Sequence, residues 1–73
     1  MKRFEFTMGL SEHKLKSYYR GNVQNVVVTT NEGLRLQLPI SVFRPYITNS
    51  GIQGIFIVYV DDDNKMIRVE KVG

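Results

Sequence analysis

The stretch Ile55-Phe56-Ile57-Val58-Tyr59-Val60 is apolar at every position. A strand turns successive side chains to opposite faces, so this segment is greasy on both sides. Such a strand must lie between two packed layers, curl into a small barrel, or meet another molecule. The chain around it has 73 residues and no cysteine. A chain of that length buries only about 60% of the surface its unfolded form exposes. Without thiols, neither a disulfide nor a thiolate metal site can staple it. One domain over residues 1–73 is therefore expected, and it must close its core well or share it with a second copy.

The rest of the chain supplies turns and partners for that strand. Phe4, Phe6 and Met8 alternate with Arg3, Glu5 and Thr7, the period of a half-buried strand that Gly9 and Leu10 end. Ser11 is a good N-cap, with Glu12 at the end of a helix dipole that favours negative charge and Lys16 and Arg20 toward the other. Leu15, Tyr18 and Tyr19 share a stripe at helical spacing, and Gly21 fits the stop, so a short amphipathic helix is predicted over 12–20. Val23 to Leu38 reads as a hairpin closed by Asn31-Glu32-Gly33, with Gly33 left-handed. That turn sets Val28 opposite Leu36 and Val26 opposite Leu38, in agreement with the apolar pattern.

Pro39 ends the third strand, and Ile40 to Phe43 is expected to make a single helical turn that Pro45 stops. Thr48-Asn49-Ser50-Gly51 is a loop by composition. A second hairpin is predicted across Asp61-Asp62-Asp63-Asn64, with Asn64 left-handed, Asp61 opposite Lys65, Tyr59 opposite Ile67 and Ile57 opposite Val69. That register leaves Phe56, Val58, Val60 and Met66 on the other face beside Arg68 and Glu70. The helix with its tyrosine pair is the expected cover for that face, and a homodimer or other protein contact through Phe56, Val58, Val60 and Met66 is the alternative. The expected fold is α+β in the order β-α-β-β-turn-β-β. It would form a five-stranded, mostly antiparallel sheet or a small half-open barrel, with one short helix after the first strand.

Several strings of the chain together resemble a known family. They are Tyr18-Tyr19-Arg20-Gly21, Leu38-Pro39, Phe43-Arg44-Pro45-Tyr46-Ile47-Thr48, Gly51-Ile52-Gln53-Gly54-Ile55-Phe56 and Asn64-Lys65. The family is a small, uncharacterised proteobacterial one of about this length, a domain of unknown function, and the resemblance covers nearly the whole chain. Phe43 and Tyr46 stand where the family pattern has Leu and Phe. The resemblance implies a bacterial cytoplasmic setting and carries over no site residue.

Several functions find no support in the residues. The start of the chain contains no apolar stretch of the signal-peptide kind, and the longest apolar run falls far short of the roughly 20 residues a membrane helix needs. A cytoplasmic protein without a membrane partner is expected. The one histidine, His13, falls on the exposed helix face, and no nucleophile, base and orienting group can be assembled around it. The protein is thus expected not to be an enzyme, and no cofactor is implied. Asp61 to Asn64 resembles a calcium loop, but Lys65 stands at a ligand position and Met66 where the loop glycine belongs. Gly51-Ile52-Gln53-Gly54 opens a strand, where paired glycines mark a bend more often than a phosphate cradle.

What the charges allow is binding. Ten Lys and Arg against seven Asp and Glu give a net charge of +3. That excess permits a nucleic acid or other polyanion as partner without demanding one. The candidate binding residues are Arg20, Arg35, Arg44, Tyr46 and Arg68, basic forks interleaved with an aromatic ring as small β-rich binders use them.

Overall fold

Phe6, Met8 and Leu10 are buried while Arg3, Glu5 and Thr7, which alternate with the apolar residues, are exposed, so β1 (Lys2–Leu10) is the half-buried strand its alternation predicts. The structure is a computed structural model that describes residues 1–20 and 24–73 and leaves aside the side chain of Tyr19. The expected helix stop at Gly21, the hairpin start at Val23 and the Tyr19 ring therefore lie outside the described residues. After β1 comes α1 (Glu12–Arg20), with the bounds the sequence predicts. The hydroxyl of Ser11 accepts the Lys14 N–H at 3.3 Å, and Glu12 pairs with Lys16 at 3.1 Å. Leu15 is buried and Tyr18 packs partly against the core, which docks a helix too short to persist alone.

The first hairpin joins β2 (Asn25–Thr29) to β3 (Arg35–Pro39) in the expected register, with Val26 opposite Leu38 and Val28 opposite Leu36. Gly33 takes φ +87°, and Thr30 accepts the Leu34 N–H on its hydroxyl at 3.1 Å while donating its own N–H to the Leu34 carbonyl. Next, a 3-10 helix covers Ile40–Tyr46. It runs past the single turn expected over Ile40 to Phe43, and Pro45 sits inside it. Pro45 is in the last turn, where few backbone bonds remain for its missing N–H to break.

β4 (Ile52–Val60) and β5 (Met66–Lys71) complete the chain. β4 begins at Ile52 rather than Ile55, because Met8, Gly9 and Leu10 of β1 extend its ladder through Gly54, Gln53 and Ile52. Asn64 takes φ +62°, and Asp61 N–H meets the Lys65 carbonyl at 2.9 Å, both as expected. Beyond that point the predicted register fails by one residue. Val60 faces Met66 but Tyr59 faces Arg68, Val58 faces Val69 and Ile57 faces Glu70, with Ile67 left over as a bulge. The bulge swings Val69 inward and sends Arg68 and Glu70 to the outward face with Tyr59 and Ile57.

The strands form two antiparallel sheets, β1-β4-β5 and β2-β3, in a mixed α+β fold. This corrects the expected single sheet or half-open barrel. The short hairpin lays Val26, Val28 and Leu38 against Phe6, Phe56 and Val58 in one core instead of prolonging the larger sheet. At the seam, Asn31 donates its N–H to the Glu5 carbonyl and its side-chain amide to the Glu5 carboxylate, both at 2.8 Å.

Four aromatic rings fill the centre. Phe6 stacks on Phe56 at 5.7 Å, and Phe43 meets both edge-on at 6.2 and 5.4 Å. Tyr46 meets Phe56 at 5.4 Å. Such pairs contribute about 0.5–1.5 kcal/mol each beyond the area they bury. Phe43 and Tyr46 thus help cover the inner side of β4, where the tyrosines of the helix were expected. Phe56 and Val58 are completely buried, Val60 is 1% exposed and Met66 packs partly against them. Within one chain the opposite hairpin and the 3-10 helix cover this face: Phe56, Val58 and Val60 belong to the core and Met66 packs against it.

Candidate functional site

The five binding candidates sit on four elements, Arg44 and Tyr46 sharing the 3-10 helix. Arg20 is exposed at the end of α1, and Arg44 is exposed in the last turn of the 3-10 helix. Arg35 is exposed on the outward face of β3, opposite Thr29 and beside Gln37. Arg68 is exposed on the outward face of the other sheet. The two sheets pack through their inward faces, so Arg35 and Arg68 point away from each other. Tyr46 is half-buried: its ring lies in the aromatic cluster, and its hydroxyl donates to the Val69 carbonyl of β5 at 3.4 Å. These commitments make Tyr46 a packing residue that also covers a strand edge.

Arg68 belongs to a local network. Its Nε donates to Glu70 at 2.9 Å, its guanidinium lies 4.2 Å from the centroid of the Tyr59 ring, and the Tyr59 hydroxyl donates to Glu70 at 3.3 Å. The bond to the Glu70 carboxylate holds the Arg68 guanidinium above its usual pKa, so it stays charged at every working pH. Arg3, Arg20, Arg35 and Arg44, by contrast, enter no ion pair among the described residues.

The outward face of the β2–β3 hairpin has a character of its own. Asn25, Val27 and Thr29 stand on one strand, with Arg35 and Gln37 on the next, all exposed and none acidic. Val27 is 52% exposed. The face offers hydrogen-bond donors, one fixed positive charge and a patch of apolar surface.

Other motifs resolve into structure. Gly51 has φ +95°, and a Cβ there would stand 2.0 Å from the Leu10 carbonyl oxygen, so its backbone is pressed against the β1–α1 junction. Gly54 has φ +135° and would meet the Gly73 carbonyl oxygen at 2.5 Å. Both glycines face the protein's own chain. The Asp61 carboxylate accepts the N–H groups of Asp63 at 2.8 Å and Lys65 at 3.0 Å, a turn-closing role. Among the described residues no group of three or more acidic or histidine side chains is placed to hold a metal ion. His13 is exposed, and among the described residues no hydrogen bond reaches its imidazole. No helix of the described residues is long and apolar enough to cross a membrane.

The family model whose description reads "Protein of unknown function (DUF2835)" matches residues 2–72. The chain belongs to this family. No curated protein and no solved structure gives a match. The family description names neither ligand nor reaction, so the functional reading rests on geometry.

Arg3, Glu5 and Glu70 are not among the candidates the sequence points to. With Ile57, Tyr59 and Arg68 they form two neighbouring rows across the larger sheet, Arg3–Tyr59–Arg68 and Glu5–Ile57–Glu70. The alternation of Arg3 and Glu5 with Phe4 and Phe6 already put these two on the outward side of their strand. Only the pairing of β1 with β4 brings them beside Tyr59.

Proposed function

We propose that this DUF2835 member is a cytoplasmic, non-enzymatic binding module for an anionic partner, with nucleic acid the leading class. The observation that carries the reading is the acid-free outward face of the β2–β3 hairpin. Arg35 there can hold a phosphate with its planar fork, while Asn25, Thr29 and Gln37 supply hydrogen bonds around it. Arg20 and Arg44 add exposed cations outside any described ion pair. The net charge of +3 favours encounter with a polyanion.

The test is a fluorescence-polarisation titration with labelled mixed-sequence oligonucleotides, single- and double-stranded. If about three phosphates are contacted, affinity should fall about 40-fold between 50 and 200 mM salt. Arg35→Ala should weaken binding and lower the salt slope by about one. Absence of binding at tens of micromolar protein in low salt would remove the reading, as would binding untouched by Arg35→Ala, Arg20→Ala and Arg44→Ala together.

A further inference from the structure

The outward face of β1-β4-β5 differs in kind from that of the hairpin. It is built in cross-strand rows: Arg3, Tyr59 and Arg68, then Glu5, Ile57 and Glu70, then Thr7 and Ile55. Arg3, Glu5, Thr7 and Arg68 are exposed and Ile55 is 39% exposed, so this face is open to solvent apart from its edge at Glu5, where Asn31 of the β2–β3 turn bonds the carboxylate. Ile57 is only 8% exposed, yet it does not belong to the core cluster.

A row with two cations beside a row with two carboxylates is complementary to itself. Consider a second copy turned by a half-rotation about an axis that runs along the rows and between them. Its Glu5 then faces Arg3, its Glu70 faces Arg68, and its Ile57 faces Tyr59. The same contacts repeat in reverse, as a two-fold interface requires. We propose that the outward face of β1-β4-β5 is a self-association surface on which two copies of this chain pack face to face about that axis.

Charge complementarity selects this occupant. A polyanion would be repelled by the carboxylate row and a polycation by the arginine row, whereas a second copy satisfies both. The guanidinium of Arg68 binds Glu70 of its own chain through Nε, which leaves its other donors for the second copy. Three strands at about 4.8 Å spacing and nine residues at about 3.3 Å rise outline about 400 Å² per copy. That is about half the footprint of a standard interface, which places the pair among weak, transient contacts. The inference does not depend on the anion-binding reading, which uses the opposite face of the molecule.

Sedimentation equilibrium of the native chain from about ten micromolar to about one millimolar tests it. The expected result is a mass that rises toward two copies in low salt and falls back as salt is added. Amide resonances that shift with concentration should centre on Arg3, Glu5, Ile57, Tyr59, Arg68 and Glu70. The double variant Arg3→Glu/Arg68→Glu should be monomeric, and so should Glu5→Arg/Glu70→Arg, while an equimolar mixture of the two should associate again. A native chain that stays monomeric throughout overturns the proposal, as does persistence of the dimer in either double variant. Resonance shifts centred on the β2–β3 face also overturn it, and that map decides alone should a variant fail to fold by circular dichroism.

Discussion

Gly51 and Tyr46 show how single residues hold this fold. Gly51 combines a left-handed backbone with direct contact to the chain between Leu10 and Glu12. Gly51→Ala adds a Cβ that can be accommodated only if the β1–α1 junction moves, so a loss of about 2–4 kcal/mol is expected, read from urea unfolding. Tyr46→Phe keeps the ring against Phe56 and removes only the hydroxyl bond to Val69. It should cost about 0.5–1.5 kcal/mol in the same measurement and leave the far-ultraviolet circular dichroism spectrum unchanged. At this scale the sequence was informative wherever a residue answers to its neighbours: Ser11 as cap, Gly33 and Asn64 in left-handed turns. It was uninformative for Tyr46, which stood among the binding candidates. Its role is set by Phe56 and Val69, both remote along the chain.

The elements were legible to the extent that turn chemistry and apolar period pointed to one register. For β2 and β3 they did, and Val28 faces Leu36 as the Asn31-Glu32-Gly33 turn requires. For β4 and β5 the turn was read correctly, but Ile67 is an extra residue that no periodicity announces, since Met66, Ile67 and Val69 are all apolar. The bulge makes a test possible. Deleting one residue from a regular strand sends every side chain beyond it to the wrong face. Deleting Ile67 instead irons out the bulge and leaves Met66 opposite Val60 and Arg68 opposite Tyr59. Deletion of Ile67 should therefore cost less than about 1.5 kcal/mol in a thermal melt followed by circular dichroism, whereas deletion of Thr7 from β1 should cost more than about 4 kcal/mol and leave the chain unfolded.

For the molecule as a whole, the order of elements could be read along the chain but their partnership could not. No turn joins β1 to β4, so nothing local announces that Phe6 will stack on Phe56 or that Arg3 will stand beside Tyr59. That one missing pairing accounts for the expected single sheet, and for the outward rows passing unnoticed. It also fixes the folding regime: a sheet whose central strand joins two distant segments is expected to fold in milliseconds to seconds, measurable by stopped-flow fluorescence of its tyrosines. The same pairing matters at the ribosome. β1 is synthesised before β4, so Leu10 waits for Ile52 and Lys2 for Val60. Until then the growing polypeptide carries Phe4, Phe6, Met8 and Leu10 as a sticky ribbon with no mate, and its safe passage depends on how quickly translation delivers the strand that closes it.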